Sequence, residues 1–503
     1  MSKSTPLSTV PRAILPQPWK PFKYMVEAVK FLLNHDRGAL FLDPGLGKTS
    51  ITLAAITKLI EDKQVNKVLV VAPLRPCYSV WPGEIQKWTD FRHLKHVVLH
   101  GRDKDKLLES DADVYIINPE GLDWLIGAEK FVSPRTGKVS VQVDPRRFKS
   151  LGIDLLVIDE LSKFKSHTSQ RFKAMKFVLP YIDRIWGLTG SPAANGLEGL
   201  FSQIYMLDGG QALGSYITQY RSQYFTPSHN GFSYDLQPGA EDRIYEAIAH
   251  LVLRMSARDY LDLPQLVENN IIVDLTPRAM KLYREVEDRA VATIDDKSVV
   301  SDTAAIALGK CRQVASGGLY YDPTSEADFI PTGMKVQRTT IRVHDEKNAA
   351  LKDLVEELQG SPLLIGYEFN HDLERIKEAL GKDVPFIGSG VSSKKASVIE
   401  AEWNAGRLPF LAGHPASMGH GLNLQGAGNH VAWYTIPWDF ELYEQFIRRV
   451  LRQGNRHKRV FVHHLIARDT IDEAVLQLLK LKRGNQNMLF EAIKMIRKRR
   501  RLK

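Results

Sequence analysis

Cysteine is nearly missing from this chain of 503 residues: there are two, Cys77 and Cys311. Two cannot build a disulfide framework or a zinc ribbon, so packing has to supply the stability. Long apolar runs are missing too. The run Leu155 to Ile158 is typical and falls far short of the roughly 20 residues that cross a bilayer. Met1 to Lys20 carries Pro6, Pro11, Pro16 and Pro18 but no apolar core of a secretory signal. The expectation is a protein that is not secreted, has no membrane partner and works in the reducing cytoplasm where it is made. No internal repeat is present, and the one biased tract is the C-terminal tail, where Lys494 to Lys503 holds seven basic residues in ten.

What is there fits a globular protein of several domains: 44% hydrophobic and 25% charged residues. The balance of 68 basic against 58 acidic residues, a formal charge of +10, favours a polyanionic partner without identifying it. Short apolar runs alternate with amphipathic stretches in two regions, which predicts an α/β chain with two parallel sheets covered by helices. In the first region Ala39 to Asp43, Lys67 to Ala72, Val114 to Ile117, Asp154 to Asp159 and Arg184 to Leu188 read as buried strands. In the second, Leu363 to Gly366, Pro409 to Gly413, His430 to Tyr434 and Val460 to Leu465 repeat the pattern. Between them, 239–347 reads as a mainly helical connector or insertion, with helical periodicity over Thr276 to Ile294 and an aromatic piece at Ser316 to Tyr321, but no wedge hairpin.

Leu42 to Thr49 follows a strand and opens a helix, the context that turns a Gly-Lys-Thr string into a phosphate cradle. Gly45, Leu46 and Gly47 would bring backbone N–H groups to phosphate oxygens. Lys48 would neutralise the β/γ charge, and Thr49 would ligate Mg²⁺. Asp159 and Glu160 emerge at the end of a buried strand; one carboxylate would hold the Mg²⁺ shell and the other would activate water. Thr189 and Ser191, after another strand, supply hydroxyls at the same sheet edge and are expected to couple the nucleotide to motion. Arg449 and Arg452, three apart, predict one helix face presenting guanidinium groups to a transferring phosphoryl group, a contribution of about 10³ to 10⁵ in rate. His463 and His464 are adjacent on a strand and so face opposite ways, and together with His414 and His420 they lack the cysteine or carboxylate partners of a zinc site. Trp81 and Trp88 could stack on bases, but their spacing of seven favours packing on one helix face.

Taken in order, these motifs resemble the Swi/Snf-type branch of the superfamily-two helicase-like ATPases. The resemblance runs from about Trp19 to Lys482. Beyond the residues above it rests on Ala72 and Pro73 with Trp81, Glu84 and Trp88; on Asp159 to Lys165; and on Leu188 to Pro192. Further along it rests on Arg254 with Leu263 and Pro264, Cys311 to Gln313, Ser417 to Leu424, Trp438, Gln445 to Asn455 and Thr470 to Glu473. It implies two RecA-like lobes with ATP and Mg²⁺ in the cleft between them, Gly421 and Gln445 also at the nucleotide, and double-stranded or branched DNA lying across both lobes. It divides the chain into an extension (1–17), a first lobe (18–238), the connector (239–347), a second lobe (348–485) and a basic tail (486–503). Lys494, Arg497, Lys498, Arg499, Arg500 and Arg501 of that tail are the nucleic-acid candidates. Met25 stands where the family has an adenine-reading Gln, which predicts relaxed base selectivity. Ser162 stands where His is more usual, which predicts looser coupling between nucleotide and lobe closure, and Asn455 replaces a usual Gln.

The function expected is a DNA-dependent ATPase that translocates on double-stranded DNA, compact enough to be a bacterial, viral or mobile-element motor. ATP is its only small-molecule substrate, and replication or recombination proteins are candidate partners. Two alternatives stay open: a strand-separating or branch-remodelling helicase, and a nucleotide-gated DNA clamp with little hydrolysis.

Overall fold

The computed structural model describes residues 16–132, 139–190, 192–193, 196–227, 234–295, 301–321, 339–418 and 421–480. The apolar runs assemble into two parallel sheets. The first has seven strands, in the order Val252–Met255, Arg37–Leu42, Arg184–Thr189, Leu155–Asp159, Val68–Val71, Val114–Ile117 and His96–Val98. Its inner strands are buried along their length because helices cover both faces. Successive side chains therefore enter different cores: Ala39 and Phe41 go to one face, Leu40 and Leu42 to the other. The second sheet has six strands, ordered Gln265–Val273, Arg459–Ala467, His430–Trp433, Leu363–Gly366, Phe410–Gly413 and Phe386–Ile387. It too separates two cores, with Leu364 on one side and Leu363 and Ile365 on the other. These are two RecA-like lobes, and every run read above as a strand is one.

The stretch 239–347 is largely helical where it is described, with Ala240–Ala247 and Ala257–Tyr260 among its helices, but it also gives a strand to each sheet. It contains the longer helices Pro277–Asp295 and Ser301–Ser316, while Val252–Met255 completes the first sheet and Gln265–Val273 forms an edge of the second. That edge strand is largely exposed and carries Glu268, Asn269 and Asn270, so it lacks the apolar run that marks a buried strand. The aromatic piece is also different. Gly318–Tyr321 pairs antiparallel with Thr339–Arg342, so a hairpin ladder stands where none was expected; its connecting residues 322–338 lie outside the described residues. The two strands are separated by 17 residues, too many for a short-turn hairpin signature.

His463 and His464 do point to opposite faces. His463 meets His430 and Asn269, whereas His464 hydrogen-bonds Tyr443 at 2.8 Å and Asn270 at 3.1 Å. Tyr443 lies on the helix Phe440–Ile447 and stacks on Trp433, so His464 helps seat the helix that faces the first lobe. Burial pushes the His464 imidazole down to about 3. The unfolded chain would bind its proton near the ordinary value of about 6.5, so this histidine's stabilisation is complete above pH 6.5 and is lost as pH falls toward 3. We expect acidification from pH 7 to pH 5 to cost the wild type roughly 2 kcal/mol more than His464→Gln, read from denaturant melts at both pH values. Equal losses in the two proteins would show that His464 is not the titrating group.

Candidate active site between the two lobes

Arg37–Leu42, Arg184–Thr189 and Leu155–Asp159 are neighbours in the first sheet. Their C-terminal ends therefore gather three segments far apart in sequence at the edge where open α/β sheets bind ligands. Gly45 and Gly47 adopt φ of 97° and 78°, conformations that glycine reaches without strain. A Cβ on Gly47 would come within 2.7 Å of Met25 Cε, and one on Gly190 within 2.9 Å of Pro44 Cδ. The backbone is thus drawn in tightly around the loop. Gly47 is the N-cap of the helix Lys48–Glu61 and makes no side-chain capping bond, so the first-turn amides are offered to an anion. Thr49 lines the cleft. Leu46 turns its side chain into the core, which leaves its backbone for the loop.

Charge is concentrated at this edge. Lys48 Nζ donates to the Leu42 carbonyl at 2.7 Å. Burial brings its ammonium down to about 8, against the opposing pull of Glu160, Asp159 and Asp43. Burial also pushes the Asp159 carboxyl up to about 6, although the Trp81 indole donates to it at 2.9 Å. Trp81 is fully buried, so it packs and orients Asp159 instead of stacking on bases. Trp88 lines the cleft and donates to Glu84 at 2.6 Å. Glu160 sits at φ 67° and ψ 64°, a left-handed conformation that costs a non-glycine residue on the order of 1 kcal/mol or more. Thr189 is buried at the end of its strand. Ser191 and the tail candidates Lys494, Arg497, Lys498, Arg499, Arg500 and Arg501 lie outside the described residues.

The second lobe closes the cleft with Gly421, Gln445, Arg449 and Arg452, around a volume of about 430 Å³. The arginines are not on a helix as expected. The helix ends at Ile447, and the chain continues in tight turns, with Arg449 N bonded to Phe446 O and Arg452 N to Val450 O. Local periodicity could not show this, because the turns are held by contacts from the preceding loop. Arg449 donates to Gln445 O at 3.0 Å and Leu422 O at 3.1 Å, and Arg452 donates to Asn423 Oδ1. Burial, reinforced by Arg452, lowers the Arg449 guanidinium to about 9.

Contacts among the described residues join the lobes around this volume, including four through polar side chains. Arg75 donates to Ser417 O at 2.7 Å, Arg448 lies 3.5 Å from Asp43, and Lys165 lies 3.6 Å from Glu441. The fourth is Ser162, whose hydroxyl reaches Glu441 at 3.0 Å and Glu160 at 2.8 Å. The serine expected to loosen the link between acidic motif and second lobe therefore makes a direct bond across it. Burial, followed by the nearby Glu160, raises the Glu441 carboxyl, while Lys165 draws it back. Glu441 and Arg75 have no motif signal as site residues, since each acts through a partner distant in sequence; Trp81 has a motif signal, but its bond to Asp159 has none.

The model of the SNF2-related domain matches residues 24–315. Protein p41 of Acyrthosiphon pisum secondary endosymbiont phage 1 is 30% identical over 492 residues, covering 94% of this chain and 98% of that protein. The CHD3-type chromatin-remodeling factor PICKLE of Arabidopsis thaliana is 22% identical over 94% of this chain, which spans 34% of PICKLE's length. An uncharacterized ATP-dependent helicase of Mycoplasma pneumoniae is 25% identical over 90% of this chain and 41% of its own. Among solved structures, the Sulfolobus solfataricus SWI2/SNF2 ATPase core in complex with dsDNA is 22% identical, with a TM-score of 0.40 over 95% of this chain and 96% of that one. The matched family model spans more than half of this chain and takes in the phosphate loop, the acidic pair and the strand ends that join them; the chain belongs to the SNF2-related family of helicase-like ATPases.

Proposed function

We propose that this protein is an ATP-dependent motor on double-stranded DNA, hydrolysing ATP between its lobes to move along or remodel the duplex. One observation supports the reading above the others: Lys48, Thr49, Asp159 and Glu160 of the first lobe and Arg449 and Arg452 of the second line the same cleft. Backbone N–H groups at Gly45, Leu46 and Gly47 cradle the phosphates, and Lys48 neutralises their charge. The hydroxyl of Thr49 and the carboxylate of Asp159 are hard oxygen donors suited to Mg²⁺, which when bound offsets phosphate charge. Glu160 orients the attacking water and takes its proton. Arg449 and Arg452 meet the charge on the γ-phosphoryl group when the lobes are closed. Gly421 and Gln445 complete the nucleotide-facing wall, and Thr189 with Ser191 couples the phosphates to the sheet edge. Met25, packed on Gly47, offers no amide to an adenine edge.

Membership of the family and the charge of +10 support DNA as the track. Phosphate contacts, including those of the basic tail, carry the affinity, so sequence specificity is weak. The phage origin of p41 supports a site of action in the cytoplasm of a bacterium or infected cell, with replication or recombination proteins as partners. Among the described residues no helix is long and apolar enough to cross a membrane. One observation favours the helicase reading as a second choice. The ladder Gly318–Tyr321 with Thr339–Arg342 is seated on the second lobe, where Tyr320 Oη accepts from Asn370 N at 2.9 Å, and a seated hairpin can serve as a wedge at a junction.

Two experiments test the proposal. Lys48→Ala should abolish nucleotide-dependent activity, Glu160→Gln should bind ATP but not turn it over, and Arg452→Ala should lower kcat far more than it weakens binding. Wild-type hydrolysis by Glu160→Gln would remove it as the base. A wild-type protein that binds ATP and DNA without hydrolysis would instead establish the clamp. The second experiment concerns the track: we expect duplex-stimulated ATPase and displacement of a triplex-forming third strand from blunt duplex, with little unwinding of a tailed duplex. Efficient unwinding without triplex displacement would make the helicase reading primary.

A further inference from the structure

The hydroxyl of Ser162 lies between two carboxylates that belong to different lobes. It is 2.8 Å from Glu160 Oε1 and 3.0 Å from Glu441 Oε1, and both Ser162 and Glu441 are buried. A serine hydroxyl carries one proton, so it can serve two acceptors only by dividing a hydrogen bond between them. Whichever carboxylate holds that proton better decides what the other is left to do.

Glu441 is built to compete. It stands in the first turn of the helix Phe440–Ile447, which Asp439 caps through the amides of Glu441 and Leu442. The helix N-terminus and Lys165, 3.6 Å from Oε2, oppose the burial and the Glu160 charge that raise the Glu441 carboxyl. Gln445 Nε2, at 3.0 Å, fixes Oε1 toward Ser162. Glu160, by contrast, follows Asp159 directly in a left-handed backbone conformation on the first-lobe side of the cleft. The link exists only while the lobes are together, because Ser162, in the turn Leu161–Phe164 of the first lobe, and Glu441, in the helix Phe440–Ile447 of the second, are 279 positions apart.

We propose that Glu441 is a positioning residue of the second lobe: on lobe closure it draws the Ser162 hydroxyl away from Glu160, whose Oε1 then accepts from the attacking water in its place. Apart from the second lobe, Ser162 keeps its bond to Glu160 and restrains hydrolysis. Ser162 is thereby a closure sensor, and Glu441 is the group it senses. This rests on the reading of Glu160 as the base, and Glu160→Gln tests that reading separately.

The mechanism demands an unusual order of effects. Glu441→Ala should lower DNA-stimulated kcat about tenfold or more with the KM for ATP within about twofold of wild type, since ground-state binding is untouched. Ser162→Ala should keep most of the wild-type kcat and raise hydrolysis in the absence of DNA. The double variant should behave like Ser162→Ala, so that removing the serine suppresses the Glu441→Ala defect. Glu441→Gln, which keeps an acceptor oxygen, should recover part of the rate. Thermal melts of all four variants separate these effects from loss of fold. A Glu441→Ala defect that persists undiminished without Ser162, or a wild-type kcat in Glu441→Ala, would overturn the inference. If Glu160→Gln is inactive while suppression fails, the base assignment stands and this inference alone is lost.

Discussion

Lys48 is half-buried beside two acidic side chains, Asp159 and Glu160, at the point where three neighbouring strands end. Concentrating those charges away from water is unfavourable unless each finds a partner, and the arrangement around them follows from that requirement. The Leu42 carbonyl takes the ammonium, the Trp81 indole takes Asp159, and Ser162 takes Glu160. Burial shifts both Lys48 and Asp159 toward their neutral forms, which is the condition under which a strongly charged ligand gains most from entering.

The second lobe brings the opposite excess. Arg452 disfavours the charge of Arg449, and the two guanidinium groups donate to carbonyl and amide oxygens of the second lobe, with Glu400 close enough to favour the charge of both. Polyphosphate chemistry between the lobes would relieve both the paired arginines and the half-buried lysine, so closure and substrate charge are linked by electrostatics as well as by shape. Direct bonds between the lobes lie around the cleft, among them Arg75 to Ser417, Arg448 to Asp43, and the Ser162 and Lys165 contacts to Glu441. Polar contacts of this kind suit a joint that must open again.

Much of this is legible in the amino-acid sequence. The buried strands announce themselves as apolar runs because parallel sheets hide both faces. The phosphate loop and acidic pair are local signals, a few residues of fixed type next to a strand end. What escaped depends on distance along the chain. Trp81 reaches Asp159 across 78 positions and Ser162 reaches Glu441 across 279, and neither pairing has a spacing rule. The edge strand Gln265–Val273 was hidden by its exposed polar residues, and the end of the helix at Ile447 by contacts from the loop Leu422 to Asn423. Ser162 illustrates the limit best. Judged against the family pattern it looked like a weakened link, whereas its environment supplies Glu441 as a new partner.

The central claim is that hydrolysis requires groups from both lobes and is therefore governed by their closure. Single-turnover hydrolysis at saturating ATP, measured with and without duplex DNA, tests this directly because it isolates the chemical step from product release. The account predicts that duplex DNA accelerates γ-phosphate cleavage severalfold or more while the affinity for ATP changes little. Equal cleavage rates with and without DNA would contradict it.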